Sequence, residues 1–364
     1  MNSTPMNCIV GVDLAKTVFQ LAVADSSFQF TASHRLSRRQ FEAWFVNRDV
    51  KLVIMEACGT AHHWARWLTT LGIDVQLLPA AYVRAYVKRN KTDAADAKAL
   101  LEAARCDDIK PVPMKSIEQQ AVQGLHRARS QWMGTRTARI NTLRGLLREF
   151  GISISAGARL GTEQIGRVLA DPNSPVPELL RTTLKLLLEE IRLLEARISQ
   201  LERELSQAAK QSDACKTLLS IPGIGLITAT AMLAATSGKV THFRSSRHFA
   251  AWFGLTPREH SSGTSRHLGR ITKRGDAYLR TLLIHGARSV LRAATVSARA
   301  DKPLDSLRQW ALDLKGRTNF NKAACALANK LARICYATLR DASPYGQPVR
   351  MQKKLEQTAW PIAQ

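Results

Sequence analysis

An acid, Asp13, stands inside an apolar run that begins at Cys8 and is long enough for one buried strand. A buried carboxylate is costly unless a cation or hydrogen bonds compensate it, so the fold must supply a partner there. Apolar runs and amphipathic stretches alternate up to about residue 110. They predict strands at 8–14, 18–24, 27–33, 51–56 and 73–78, and helices at 37–48, 60–71, 80–90 and 93–105. Three consecutive strands followed by alternating helices and strands predict a mixed α/β sheet with helical layers.

Three further acids are expected near Asp13. Glu56 ends the fourth predicted strand. Asp93 and Asp96 lie at the start of a segment with strong helix propensity, and their three-residue spacing places both on one face of that helix. Four converging carboxylates would hold one or two hard divalent ions, for which Mg²⁺ is the natural candidate. Paired metals of this kind assist phosphoryl transfer. In the alternative interpretation, Asp93 and Asp96 only complement the helix dipole and Glu56 faces solvent.

The charge distribution predicts a polyanionic partner. The chain of 364 residues has a net charge of +24, and residues 216–364 carry 24 basic against 7 acidic residues. This excess favours nucleic acid over a merely soluble basic surface. No apolar run approaches the ~18–20 residues of a membrane span, and no signal peptide precedes Cys8. Six scattered cysteines suit a reducing compartment and argue against a zinc site, so we expect a cytoplasmic, nucleoid-associated protein without membrane contact.

The sequence predicts three domains, at 1–110, 111–215 and 216–364. The middle one contains a long basic helix at 115–150, a connector at 151–178 that is rich in Gly, Ser and Pro, and a heptad. The heptad residues are Leu180, Leu184, Leu187, Ile191, Leu194, Ile198, Leu201 and Leu205. Their pattern favours a two-stranded coil. We expect it to join two subunits into a homodimer; the alternative is an antiparallel hairpin with helix 115–150 of the same chain.

The third predicted domain is mostly α-helical and contains two features that suit nucleic acid. Gly223 and Gly225 resemble a helix-hairpin-helix turn, in which a helix N-terminus binds phosphate, although other glycine-rich connectors look alike. A Ser/Gly loop around Ser262 then runs into a basic helix that is predicted to start near Lys273. A serine among arginines suits attack on phosphorus, although most loop serines have no such role. The expected nucleic-acid contacts are Gly223, Gly225, Arg266, Arg270, Lys273 and Arg274.

Seven short segments carry a resemblance to one family. They are Gly11-Val-Asp13-Leu-Ala-Lys16, Met55-Glu56-Ala, Lys91-Thr-Asp93-Ala-Ala-Asp96-Ala, Ile221-Pro-Gly-Ile-Gly225, Phe253-Gly-Leu-Thr-Pro257, Ser261-Ser-Gly263 and Thr272-Lys-Arg-Gly275 with Leu279-Arg280. In this order, residues 7–340 resemble transposases of the one-ten family of bacterial insertion sequences. The sequence around His260-Ser-Ser-Gly263 is most similar to the eleven-eleven subgroup of this family.

The resemblance implies a specific mechanism. It makes the N-terminal domain RuvC-like, a relative of ribonuclease H, with Asp13, Glu56, Asp93 and Asp96 as its DEDD site for Mg²⁺. It also implies a serine that becomes joined to DNA: Ser262 is the better match to this position and Ser261 the alternative. The implied partners are the element ends or a junction, the target DNA, a guiding bridge RNA and further copies of the chain, as a tetramer in the synaptic complex. One departure is Cys58, where many relatives carry a small hydroxyl residue.

Two other functions stay open from the sequence. A metal-dependent, structure-selective endonuclease would cut DNA without a covalent intermediate and would not need Ser262. A nonenzymatic nucleic-acid-binding protein would use only the basic C-terminal domain. The chain has no GxxxxGK[ST] loop for a nucleotide, which suits recombination that keeps the phosphodiester energy in a protein–DNA bond.

Overall fold

The computed structural model describes residues 7–46, 48–87 and 92–347. The chain divides into two compact units, Met1–Ile117 and Glu118–Gln364, while the three predicted domains stay a prediction. No helix of the described ranges is long and apolar enough to cross a membrane.

The first unit is built on a five-stranded mixed sheet with the strand order β3-β2-β1-β4-β5. The first three strands pair antiparallel, whereas β4 is parallel to both β1 and β5. This confirms the predicted mixed α/β sheet. Its elements are β1 (Cys8–Leu14), β2 (Val18–Ala24), β3 (Phe30–Ser37), α1 (Arg38–Phe45), β4 (Val50–Glu56), α2 (Ala61–Thr70), β5 (Asp74–Leu78), α3 (Ala80–Val83) and α4 (Asp93–Ala104).

The two faces of this sheet have different cores, because side chains alternate along each strand. On one face Phe19, Phe41 and Trp64 form an aromatic cluster, with centroids of Phe19 and Phe41 4.7 Å apart. On the other face lie the small and apolar side chains of α4, which pack against Ile9 and Ile54. This arrangement holds α4 directly against the central strand β1.

Two predicted boundaries in this unit were wrong. β3 begins at Phe30 and not at residue 27, because the amides of Ser27 and Gln29 both donate to Asp25 Oδ1 at 2.9 Å and form a turn there. The helix predicted at 80–90 is only the short α3, followed by one 3₁₀ turn over Arg84–Tyr86. Residues 88–90 of that prediction lie outside the described residues.

The second unit is largely helical, as predicted for the C-terminal part of the chain. Its elements are α5 (Ile117–Glu149), α6 (Ala158–Ala170), α7 (Glu178–Lys210), α8 (Asp213–Leu219), α9 (Leu226–Thr236), α10 (Ser246–Trp252), β6 (Pro257–Glu259), β7 (Leu268–Ile271), α11 (Ala277–Arg299), α12 (Ser306–Arg317) and α13 (Phe320–Asp341). The first residue of α5, Ile117, still belongs to the first unit. Helices α8 to α13 share one apolar core.

The predicted heptad is paired within the chain. Helix α7 runs antiparallel to α5, as successive ion pairs show: Arg129–Glu202 at 2.7 Å, Arg136–Glu195 at 3.6 Å and Arg139–Glu190 at 2.5 Å. Three of the heptad residues, Leu184, Ile191 and Leu205, are fully buried, and the first two lie in one core with side chains of α5 and α6. The hairpin alternative is therefore the one observed within this chain.

Two other predictions for this unit need correction. The connector predicted at 151–178 contains α6, whose Ile165 and Leu169 are buried, because its four-residue apolar spacing is enough for one helical face. The basic helix predicted from Lys273 begins at Ala277 as α11, capped by Asp276, which accepts a hydrogen bond from the Leu279 amide at 2.9 Å. The residues before it form the hairpin of β6 and β7.

His126 makes the stability of this unit depend on pH. Its ring nitrogens lie 3.0 Å from the hydroxyls of Tyr278 and Thr230, and burial, aided by the charge of Arg129, lowers its pKa to about 4. The unfolded state therefore binds the proton more readily. We expect up to about 3 kcal/mol of unfolding free energy, present above pH 6.5, to be lost as the pH falls toward 4.

Chemical unfolding at several pH values checks this expectation. The control is His126→Gln, because glutamine can both donate and accept a hydrogen bond but does not titrate. The variant should lose less stability on acidification than the wild type. Equal losses in both proteins would show that His126 is not responsible.

Candidate functional site

Asp13 and Glu56 share one face and one edge of the sheet in the first unit. The register pairs Val12 with Met55, so Asp13 and Glu56 follow at the carboxyl ends of two adjacent parallel strands. Gly11, two residues before Asp13, faces α4: a Cβ on Gly11 would lie 2.5 Å from the Ala97 carbonyl oxygen. Because side chains alternate along a strand, both acids lie on the face that α4 covers.

The other two acids lie in the first turn of α4. Thr92 caps this helix by accepting a hydrogen bond from the Ala95 amide at 3.2 Å. Asp93 is exposed, as the helix-dipole interpretation expects. Asp96 is half-buried, and its Oδ1 is buried without a hydrogen-bond partner in the described part of the chain. Such an oxygen bears an uncompensated desolvation cost, which a bound cation would remove.

The donor types at this edge fit a hard cation. The candidate donors here are all carboxylates, and carboxylate oxygens are among the ligands that Mg²⁺ and Ca²⁺ prefer. Within the described residues, however, no three His, Cys, Asp or Glu side chains are grouped closely enough to hold a metal ion. The structure thus places Asp13 and Glu56 on the face that α4 covers, and Asp96, with its unpartnered Oδ1, in the first turn of α4. Within the described residues these acids do not form a closed ligand group.

Gly11 controls how closely α4 approaches these acids. In Gly11→Ala, the new methyl group would meet the backbone oxygen of Ala97, which cannot rotate away. We expect a loss of about 1–3 kcal/mol in unfolding free energy, as for overpacked cores. Thermal unfolding measures it, with Gly59→Ala as the matched control, because nothing lies within 4 Å of a Cβ at Gly59. Equal stability of the two variants would contradict the close packing.

The predicted serines lie at the end of the β6–β7 hairpin in the second unit. The amides of Ser262 and Ser265 donate to each other's carbonyl oxygens, at 3.2 and 3.1 Å, and leave Gly263 and Thr264 as a two-residue loop. Gly263 has φ +56°, and glycine at the first position of such a loop is typical of a type II′ turn. The turn requires glycine and places Ser262 directly before it.

The two adjacent serines differ in their hydrogen bonds. Ser261 Oγ donates to Glu259 Oε1 at 2.8 Å and accepts from the His267 amide at 3.1 Å. This bond from Ser261, together with Arg266, lowers the pKa of Glu259. The hydroxyl of Ser262 is exposed and has no hydrogen bond to any other described residue. Ser262 is therefore the serine that is available to an external group.

The predicted basic contacts surround this hairpin. Arg266 pairs with Glu259 at 3.3 Å, whereas Arg270 and Lys273 lie along and after β7. The Arg274 backbone is close to Gly254, where a Cβ would lie 2.1 Å from the Arg274 carbonyl oxygen. All four basic side chains are exposed. They are thus placed for contact with a polyanion.

The two glycines of the predicted turn have different surroundings. A Cβ on Gly223, which has φ +86°, would lie 2.9 Å from the Gly286 carbonyl oxygen of α11. This close packing explains the glycine without any ligand. Gly225 is exposed, has open space around it and begins α9 without a side-chain cap. Of the two, Gly225 has the backbone position that a phosphate could approach.

Sequence reasoning missed a cavity of about 1950 Å³ in the second unit, lined by β7 and α13. Four cations of α13 line it, namely Lys322, Lys330, Arg333 and Arg340. Their spacing along the helix was visible in the sequence. The hairpin that forms the opposite wall was not, because that stretch was predicted as a loop and a helix.

Comparison with known proteins identifies two matching family models. The model described as "Transposase IS116/IS110/IS902 family" matches residues 215–302, and a second, described as "Transposase" of the DEDD type, matches residues 10–152. A probable family 20 transposase of Pseudomonas aeruginosa is 44% identical, over 92% of this chain and 98% of its own length. The transposase of insertion sequence element IS1111A from Coxiella burnetii is 40% identical, over 93% and 91%. That of IS1328 from Yersinia enterocolitica is 34% identical, over 94% and 100%.

Proposed function

Since this chain belongs to the IS116/IS110/IS902 family of transposases and is a DNA transposase, we propose that it cuts and rejoins insertion-sequence and target DNA through a covalent link to Ser262. One observation carries the assignment. The Ser262 hydroxyl is exposed at the tip of a basic hairpin without a partner in the described chain, whereas Ser261 is bonded to Glu259.

The proposed reaction is an exchange of phosphodiester bonds. Ser262 Oγ loses its proton and attacks a backbone phosphorus, and the bond from phosphorus to the 3′ oxygen breaks. The 3′ oxygen leaves as a hydroxyl after taking up a proton, and the 5′ phosphate stays joined to the serine. A second 3′ hydroxyl then loses its proton and attacks this phosphorus. The bond from phosphorus to Ser262 Oγ breaks, the serine hydroxyl takes up a proton, and the strand is resealed without ATP. Guanidinium groups near the hairpin, such as Arg266, stabilise charge on the nonbridging oxygens.

The four acids are proposed as the metal site of a RuvC-like domain. The shared face of Asp13 and Glu56 and the orphaned oxygen of Asp96 support this assignment. When bound there, Mg²⁺ would supply Lewis-acid stabilisation of charge on a phosphate. The protein's own part is to hold the carboxylates on one edge of the sheet, with α4 closing that face. The mixed sheet, in which three antiparallel strands precede two parallel ones, supports the RuvC-like fold.

Other parts of the proposal rest on the sequence and its family resemblance, without a structural observation. They are guidance by a bridge RNA, a homodimer, a tetramer in the synaptic complex, and action at the nucleoid in the bacterial cytoplasm. The excess of basic residues after 215 supports a nucleic-acid partner. Since α5 covers the heptad face, a dimer would use a different surface. Neither the structure-selective endonuclease nor the nonenzymatic binding protein is favoured by a specific observation.

Trapping the covalent intermediate tests the proposal. Wild-type protein is incubated with labelled element-end junction DNA and Mg²⁺, and denaturing electrophoresis then separates protein–DNA adducts. We expect a labelled adduct with a free 3′ hydroxyl and, by mass spectrometry, a nucleotide remnant on Ser262. Cleavage into free 5′-phosphate ends without any adduct would instead support the endonuclease, and binding without cleavage would support the nonenzymatic protein.

A further inference from the structure

The cavity beside the β6–β7 hairpin is a second candidate site within the C-terminal unit. We call it the α13 groove. Its volume of about 1950 Å³ is roughly twice the upper end of the 300–1,000 Å³ that is typical of pockets for small ligands. It therefore suits an extended ligand better than a single small molecule.

The lining of the α13 groove is strongly cationic. No acidic side chain of the described residues lines it. Its six cations are Arg270, Lys273, Lys322, Lys330, Arg333 and Arg340. Burial, together with the charge of Arg333, lowers the pKa of Lys330. Among the described residues, five of the six cations form no ion pair with a carboxylate. Arg340 is the exception, because it forms a paired contact with Asp341 at 2.7 Å.

Apolar and aromatic side chains lie between these cations. Trp310, Phe320 and Ile334 line the same groove, and Lys330 Nζ lies 4.0 Å from the centroid of the Trp310 ring. A duplex presents mainly phosphates to a protein surface and keeps its bases stacked inside. An unpaired strand exposes both phosphates and base faces, and grooves that combine cations with aromatic walls bind such strands.

The groove is continuous with the hairpin that carries Ser262. Leu268 to Ile271 of β7 form part of its wall. Ser265, which pairs with Ser262 across the turn, is only three residues before Leu268, at most about 10 Å of extended chain. We propose that the α13 groove binds an unpaired DNA strand next to the phosphate that Ser262 attacks. This inference rests on the proposed function and adds the substrate contact to it.

Equilibrium binding tests the groove separately from the chemistry. Fluorescence anisotropy is measured with a single-stranded DNA oligonucleotide, the matching duplex and RNA of the same sequence, all in the Ser262→Ala protein, so that no adduct forms. The groove variant is Lys322→Gln with Arg333→Gln, both exposed. If each cation neutralises one phosphate, the salt slope should fall by about 1.4, and single-strand affinity about 25-fold at about 0.1 M salt.

The matched control is Arg299→Gln with Lys302→Gln, which removes the same charge from exposed positions of the same unit outside the groove. It should lose much less single-strand affinity than the groove variant, and the groove variant should bind duplex nearly as the control does.

Equal losses in both variants, or tighter binding of RNA than of DNA, would overturn the proposal. Photocrosslinks from the bound strand should map to α13, and crosslinks confined to other elements would also overturn it. A covalent adduct at another residue would refute the role of Ser262 without changing this binding result.

Discussion

Ser262→Ala is expected to bind DNA with wild-type affinity and to form no covalent adduct. The alanine removes only the attacking oxygen, and the type II′ turn is kept because Gly263 and the backbone bonds to Ser265 are unchanged. Loss of a catalytic nucleophile costs on the order of 10⁴- to 10⁶-fold in rate. Strand exchange should therefore fall below detection. Gel electrophoresis under denaturing conditions measures the adduct, and anisotropy measures DNA affinity.

Ser261→Ala is the matched control for this experiment. It removes a hydroxyl one residue away, together with the bonds to Glu259 and to the His267 amide. It should keep at least part of the activity and still form the adduct. A nucleotide remnant on any residue other than Ser262, or cleavage by Ser262→Ala at the wild-type rate, would end the assignment.

Asp13→Asn and Asp96→Asn are each expected to abolish strand cleavage in a folded protein. An amide keeps the size of the carboxylate but removes the charge that a divalent cation needs. Binding can be followed without activity, because a ligand that binds only the folded state raises its stability, by about 2.7 kcal/mol at a hundredfold excess over Kd. Mg²⁺ should therefore raise the thermal unfolding temperature of the wild type, and this increase should be lost in both variants.

The matched control for the acids is Glu42→Gln, an exposed carboxylate of α1 that pairs with Arg38 at 3.6 Å. It should retain both cleavage and the response to Mg²⁺. Wild-type cleavage by Asp13→Asn, or activity that EDTA does not reduce, would refute the metal site. A response to Mg²⁺ that persists in Asp96→Asn would instead remove Asp96 from the ligand set.

Local patterns were enough to predict much of the first unit. The alternation of apolar runs predicted β1, β2, β4 and β5 closely, because one strand needs only a few residues of local signal. That β1 and β4 are adjacent and parallel appears only in the structure, whereas the position of Glu56 at the end of its strand followed from the sequence. The boundary of β3 did not, because the side chain of Asp25 formed a turn that hydrophobicity alone does not reveal.

The sequence patterns in the second unit were compatible with more than one tertiary structure. The heptad determined that α7 must bury one apolar face, but an apolar face specifies only that something covers it. Whether α5 or a second subunit does so depends on contacts between residues about 50 to 70 positions apart, such as Arg139–Glu190 and Arg129–Glu202. The β6–β7 hairpin is exposed and has no apolar period, so its bonds appear only in three dimensions.

The sequence by itself thus determined the α/β sheet, the acids at its edge, the helical second unit and the excess of basic charge. These follow from composition and short-range periodicity. Only the tertiary structure decided that, among the described residues, the Ser261 hydroxyl is hydrogen-bonded while the Ser262 hydroxyl is not, and that Asp96 Oδ1 is buried without a partner. It also decided that β7 and α13 line a common groove. Hydrogen bonds and burial depend on which distant residues meet, and that pairing is set by the packing of the whole unit rather than by any local segment.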